Sequence, residues 1–308
     1  MKALNLNIDF MGKRRWAAAL SILFVVLALV DMMVQGLNPG LDFTGGTLVE
    51  VEFAEPAELD RVRQLLEEAG YENGLVQYFG TERELLIRMP PQDSTEQARM
   101  GDEILETLRG QFPGVEMMQS NFVGPAVGDE LTEDAGLALL AALAVVMVYI
   151  LFRFTKQFAV GAVVALIHDV IVVLGCFALF GWTFDLSVLA AVLAVIGYSL
   201  NDTIVVSDRI RENFRIVRKG TPLEIINLSL NQTLGRTLVT SLTTLLVLLA
   251  LLLAGGEMIR GFALALTIGI VVGTYSSIYV AANILVLMGI SREDLLIPEK
   301  EGVDAESP

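Results

Sequence analysis

The sequence predicts a polytopic α-helical membrane protein with six transmembrane helices and an α+β exoplasmic domain between helices 1 and 2. The first observation behind this is hydropathy. The 308 residues are 54% hydrophobic, and the aliphatic ones gather into six blocks of about 18 residues or more with few charges, the length that crosses a hydrocarbon core. The second is a polar interval between the first two blocks, whose apolar residues alternate like strands and then recur like helices. The third is the placement of lysine and arginine, which crowd one set of short loops.

The expected spans are 16–34, 135–151, 158–180, 186–206, 237–254 and 262–288. The first follows Lys13, Arg14 and Arg15, and no small-residue cleavage site closes it, so it reads as an uncleaved anchor. Arg153 and Lys156 separate the second and third spans. Arg209, Arg211, Arg215, Arg218, Lys219 and Arg236 lie between the fourth and fifth, whereas the opposite loops carry only Arg260. Both termini are therefore expected in the cytoplasm, and the inserted domain outside it. The expected units are 1–35 (N-terminus and first helix), 36–133 (outer domain), 134–290 (five-helix bundle with a basic cytoplasmic segment 208–235) and 291–308 (polar tail).

The formal net charge of −15 is local. Residues 36–133 hold 20 of the 36 acidic groups and 6 of the 21 basic ones, so the remainder is nearly neutral. An acidic outer domain argues against nucleic acid as a partner. Cys176 is the only cysteine, so no intrachain disulfide can form.

In the outer domain, the stretch from Gly36 to Gly46, with Pro39, ends the first span as a flexible junction. Thr47, Val49, Val51 and Phe53 alternate as a strand. Pro56 is expected to open a helix with Leu59, Val62, Leu65 and Leu66 on one face. Strands at 75–79 and 84–89 flank a turn at Gly80, Ser94 and Gln97 suggest a capping box for a second helix, and 114–122 is a last strand. The order β-α-β-β-α-β is that of a ferredoxin-like domain. It carries no histidine, no cysteine and no glycine-rich phosphate loop, so binding or force transmission is expected rather than catalysis. A second joint is expected at 124–128.

Polar groups interrupt the inner spans. His168 and Asp169 fall mid-span, with His168 the only histidine, and either a proton-handling or a packing pair fits them. Asp202 sits in an apolar run beside Asn201 and Thr203, one turn beyond Tyr198 and Ser199. A carboxylate at that depth costs about 2.5–3.5 kcal/mol or more, so it needs a partner, water or a proton. The segment 208–219 reads as a basic amphipathic surface helix, and Thr221, Pro222 and Glu224 as the capping box of another short helix ending near 234. Arg236 then opens the fifth span, with Thr240, Thr243 and Thr244 on one face above it. On the sixth, Gly261, Ala265, Gly269, Gly273, Ser277 and Ala281 recur every fourth residue, a surface for close helix approach. Asp202 and Arg236 together suggest a proton relay in which the carboxylate alternates between a partner and a proton, needing neither cofactor nor metal.

These motifs are specific in combination. The run from Gly40 to Gly46, the stretch from Ala165 to Asp169, the stretch from Gly197 through Asp202 to Asn213, and the stretch from Arg236 to Ser241 together resemble the SecF members of the SecD/SecF protein-export family over essentially the whole chain. The resemblance implies half of a resistance-nodulation-division type bundle, paired with a separate SecD. It implies a non-enzymatic accessory subunit of the bacterial inner membrane. Together with SecD it would use the proton-motive force to help unfolded preprotein leave the SecYEG channel, with other Sec accessory membrane proteins as further partners. It also ties proton movement to the positions of Asp202 and Arg236.

Three rival readings stand beside this. A proton-coupled small-molecule exporter half shares the architecture, but such pumps usually carry both halves and larger outer domains. An intramembrane aspartyl protease would need Tyr-Asp and Gly-x-Gly-Asp motifs, whereas Asp169 follows His168 and Asp202 follows Asn201. A passive scaffold would use the buried polar groups for packing alone.

Overall fold

The computed structural model describes residues 7–71, 73–91 and 94–295, with side chains excepted at 94–98. A 3-10 turn, Met11–Lys13, leads into α1 (Arg14–Val34). The junction holds a two-residue strand β1 (Asn38–Pro39) and one helical turn α2 (Leu41–Thr44). The outer domain follows as β2 (Gly46–Glu52), α3 (Leu59–Glu68), β3 (Leu75–Phe79), β4 (Thr81–Met89), α4 (Ser94–Gln111) and β5 (Glu116–Val123). The bundle is α5 (Pro125–Arg153), α6 (Lys156–Phe180), a second short strand β6 (Thr183–Phe184), α7 (Leu186–Ile216), α8 (Pro222–Ala254) and α9 (Glu257–Leu287), with a closing 3-10 turn Glu293–Leu295. The helices long and apolar enough to span a membrane are α1 and α5 to α9, six in all among the described residues.

The outer sheet runs β3-β4-β2-β5 with every neighbouring pair antiparallel, the ferredoxin-like arrangement that the β-α-β-β-α-β order requires. Val49, Val51, Leu85 and Ile87 point from one sheet face onto Val62 and Leu66 of α3 and Ile104 and Leu108 of α4. Each such side chain contributes about 1.5–3 kcal/mol on burial. The helix α3 starts at Leu59, not at Pro56. The preceding backbone is already committed: Ala57 donates to the Glu82 carbonyl (3.2 Å) and its own carbonyl accepts from the Tyr78 hydroxyl (2.9 Å). The capping box expected at Ser94 and Gln97 lies outside the described side chains, as residues 296–308 of the polar tail lie outside the described residues.

In the membrane part α6, α7 and α9 form the core, and α1, α5 and α8 pack around it with mostly outward-facing apolar side chains. Small residues set this order. A Cβ on Gly269 of α9 would lie 2.1 Å from Val195 of α7, and one on Gly175 of α6 would lie 2.2 Å from Ala28 of α1. Such backbone approach maximises van der Waals contact, which is what drives helix association in lipid.

Two expected surface helices turn out to be extensions of membrane helices. The segment 208–216 is the last part of α7, and 222–234 is the first part of α8. The buried stripe does not stop at the membrane edge: Val206, Ile210 and Phe214 continue it on α7, as Ile226, Leu230 and Leu234 do on α8. Asn213 joins the two extensions, donating to Ser229 Oγ and Gln232 Oε1 at 2.8 Å each. The Thr221–Glu224 capping box is present, with Pro222 at the first helical position.

The glycine-rich junction is held, not free. β1 pairs in parallel with β6, and the Gly40 amide donates to the Phe184 carbonyl (2.7 Å). The Asp42 carboxylate accepts from the Leu186 amide (3.0 Å), so the junction helps cap the N-terminus of α7. From the domain side, Arg88 on β4 donates to the Pro39 carbonyl (2.7 Å) and to Thr44 Oγ1 (2.6 Å). The second expected joint, 124–128, is instead helical from Pro125, because α5 runs unbroken from Pro125 to Arg153 and so starts before both the expected span at 135 and the expected boundary at 133. Gly45, with φ +67°, packs against it, a Cβ there lying 3.1 Å from the Pro125 backbone.

Candidate functional site

The site is a seam of polar groups along the buried face of α7. The heptad-like spacing of Val188, Val192, Val195, Ser199, Asp202 and Val206 keeps all six on that face. Its upper part meets α9, whose Gly261, Gly269 and Gly273 face Val188, Val195 and Ser199. Ala265 and Ser277 of the same stripe are fully buried.

Asp169 is fully buried where α6, α7 and α9 meet. Its Oδ2 accepts from Ser199 Oγ of α7 (2.5 Å) and Ser276 Oγ of α9 (2.8 Å). Its Oδ1 lies 3.0 Å from Nδ1 of the preceding His168. Three helices thus share one carboxyl group. His168 is buried, and its Nε2 has no hydrogen-bond partner among the described residues.

Asp202, one turn beyond Ser199, has a different environment. It is 4% exposed, yet its Oδ2 has no hydrogen-bond partner of suitable geometry. Thr203 and, on α8, Thr237 are also buried, and the Thr237 hydroxyl is within hydrogen-bonding reach of the Asp202 carboxyl. Thr237 neighbours the Asp202 carboxyl, and Arg236 acts on it through its charge. The Thr237 hydroxyl can donate to Asp202 when the carboxylate is ionised and accept from it when it is protonated, so the contact is compatible with both charge states.

Arg236 is not paired with Asp202 in this state. It is exposed on the outer flank of α8 and makes no ion pair within 4.0 Å among the described residues. The helical step explains the difference: Thr237, the next residue, takes the inward position about 100° away. Thr240 is half-exposed and bonds back to the Arg236 and Thr237 carbonyls (3.1 and 2.9 Å). Thr243 and Thr244 bond back in the same way, and Tyr198 reaches Thr244 at 3.5 Å. Asn201 is exposed on the side of α7 away from the seam. The structure therefore brings together Asp169, His168 and Ser199, places Asp202 near them on the same face, and leaves Asn201 and Arg236 facing outward.

Sequence reasoning did not single out Ser276 or Thr237. Ser276 stands next to the small-residue stripe on α9, and Thr237 follows Arg236 directly. Each looks like an ordinary hydroxyl in an apolar run until the helix phase is known. No group of three or more His, Cys, Asp or Glu is placed to hold a metal ion among the described residues.

Two family models match the chain. Residues 103–291 match the model described as protein export membrane protein SecD/SecF, C-terminal, and residues 32–57 match the SecD/SecF GG motif. The chain is 49% identical to the protein translocase subunit SecF of Vibrio alginolyticus, covering 97% of this chain and 96% of that one. It is 47% identical to the SecF of Pseudomonas aeruginosa over 97% of both chains. Against the crystal structure of SecDF from Thermus thermophilus, described as a translocon-associated membrane protein, the TM-score is 0.86 at 40% identity. That match covers 94% of this chain and 40% of the solved one, so the chain spans about two fifths of that SecDF polypeptide. A SecDF structure in a super-membrane-facing form gives 0.70 over the same share.

Proposed function

The chain belongs to the SecD/SecF family of protein-export membrane proteins, and from that premise we propose that it couples proton movement at Asp202 to preprotein export. It is a multi-pass membrane protein and a Sec translocation accessory subunit. In the finer reading its partner is a separate SecD polypeptide, and together they act beside the SecYEG channel on unfolded preprotein. The membrane is the bacterial inner membrane, with both termini cytoplasmic and the ferredoxin-like domain periplasmic, as the arginine and lysine distribution supports. The outward faces of α1, α5 and α8 offer the surface against which a second half would pack.

The observation that carries the reading is the buried Asp202 carboxyl on α7, with the Thr237 hydroxyl of α8 as its hydrogen-bonding neighbour and the charge of Arg236 acting on it from the next residue. In the protonated state, the Asp202 O–H donates to Thr237 and α8 keeps its present phase. On loss of that proton to the cytoplasmic side, the buried carboxylate needs a cation. Arg236 is one residue away on α8, and a partial rotation of the helix, up to about 100°, exchanges Thr237 for Arg236. Proton uptake from the periplasmic side returns α8. Asp169, gripping α6, α7 and α9 through Ser199 and Ser276, holds α7 in place one turn from Asp202 while α8 moves against α7 and α9.

The test is export of a preprotein into inverted membrane vesicles, with and without a proton-motive force. Wild type and Asp202→Asn are compared, each with SecD and with complex assembly checked. The force-dependent increment should vanish in the variant while assembly persists. An undiminished increment would make Asp202 a packing residue.

A further inference from the structure

We propose that Arg153, Arg211 and Arg215 form a headgroup site for an anionic phospholipid where α5 meets α7. Arg153 is the last residue of α5, and the chain re-enters the bundle at Lys156, so this level is a membrane boundary. The three guanidinium groups surround a cavity of about 460 Å³, lined also by Asp208, Glu212 and Ile216.

The charges in this cluster do not cancel. Arg153 lies 3.3 Å from both oxygens of Asp208, and Arg211 lies 2.9 Å from one of them. Glu212 is engaged by Arg209 on the same helix (2.9 Å). Arg215 spends its Nε on the Leu295 carbonyl (3.1 Å). Asp208 therefore serves two cations, Arg211 also reaches the Arg153 carbonyl (3.4 Å), and Arg215 makes no ion pair within 4.0 Å among the described residues. Arg153 and Arg211 are also both stacked on Phe154, each 5.3 Å from its ring centre, which holds them side by side. A preorganised fork of guanidinium donors is the arrangement that recognises a phosphate diester.

The flanks identify the source of the phosphate. Phe152 of α5, next to the cavity, is 89% exposed. Val148 and Tyr149 continue the exposed apolar surface along α5. A free phosphate has no use for that surface, whereas acyl chains run along it. Basic pockets between transmembrane helices at headgroup level hold anionic lipids for this reason. Asp208 does not oppose such a ligand, since its charge is taken up by Arg153 and Arg211. A lipid bound here would tie α5 to the end of α7, the helix that carries Asp202.

The experiment uses the full chain purified with its SecD in a neutral detergent, with dioleoyl phosphatidylglycerol as the probe. Bound lipid is counted by native mass spectrometry, and thermal stability is followed in parallel. The arms are phosphatidylglycerol, phosphatidylcholine, inorganic phosphate and a soluble acidic peptide. The variants are Arg153→Gln, Arg215→Gln and the pair, with Arg260→Gln at the other membrane face as control. Phosphatidylglycerol alone should be retained, about fivefold more weakly for each arginine removed and unchanged in the control. The single variants carry the test if the pair fails to assemble. Equal retention by wild type and variants overturns the proposal. So does equal stabilisation by phosphatidylcholine, by inorganic phosphate or by the acidic peptide.

Discussion

Ser199 donates its hydroxyl proton to Asp169 across 2.5 Å, from α7 to α6. One turn further along α7, Asp202 is also buried, but its neighbours are the Thr237 hydroxyl and the charge of Arg236 on α8. The two carboxyl groups thus divide the work. Asp169 bonds to hydroxyls from two other helices, and in the proposed function Asp202 is the carboxyl that changes state.

The Asp169 clamp should be visible as stability. Ser276→Ala removes one of its two donated hydroxyl bonds, and interhelical bonds of this kind average about 0.6 kcal/mol with a ceiling near 1.7. Asp169→Leu, which removes both interhelical bonds and leaves the Ser199 hydroxyl without its partner, should cost more than Ser276→Ala. Thermal unfolding of the detergent-solubilised chain reads this directly. Identical unfolding temperatures for all three proteins would remove the clamp from the account.

Gly269 should be intolerant of any side chain. An added Cβ would sit 2.1 Å from Val195 Cγ2 and force α7 and α9 apart. Gly269→Ala should destabilise by about 1–3 kcal/mol, the usual cost of overpacking. Val195→Ala in the same chain should recover part of it. Destabilisation that Val195→Ala leaves untouched would mean the two residues do not share the contact.

Arg88 and Asp42 should control how firmly the outer domain is held. Arg88→Ala loses its bonds to Pro39 and Thr44, and Asp42→Asn weakens the cap on Leu186. Amide hydrogen exchange over residues 38–46 should speed up in both variants, with that of the sheet strands β2 and β4 unchanged. Unaltered exchange in the junction would show that the domain is fixed by other contacts.

Glu50 makes the domain respond to pH. It lies on β2 with its carboxyl pushed above the usual range, first by burial and then by the charge of Glu84. A carboxyl whose folded pKa is raised binds its proton more tightly in the fold than in the open chain. It therefore detracts from stability once ionised, and the loss grows as pH rises from the ordinary glutamate value through the folded one. Glu50→Gln should be the more stable form at neutral pH, with the advantage fading under acid. An advantage that persists unchanged at low pH would contradict the sign of this effect.

The fold was legible because its signals are long or periodic. Six apolar blocks needed only counting, and the alternation from Thr47 to Phe53 with the turn at Gly80 declared the sheet. Asp169 and Asp202 stood out as charges in apolar runs. The ends of α7 and α8 were hidden because residues 208–216 are too polar for hydropathy, while the stripe Val206, Ile210, Phe214 continues beneath them. The outward turn of Arg236 and the inward turn of Thr237 depend on helix phase, which neighbouring helices decide. The pairing of Asn38–Pro39 with Thr183–Phe184 joins two residues to two others far along the chain, and nothing local announces it.

The most direct measurement is proton flux itself. The chain and SecD are placed in liposomes with a trapped pH dye, and a membrane potential is imposed. Wild type and Asp169→Asn should both move protons, and Asp202→Asn should reduce the flux to that of empty liposomes. Flux through Asp202→Asn at the wild-type rate would contradict the account, and flux lost only in Asp169→Asn would reverse the roles of the two carboxyl groups.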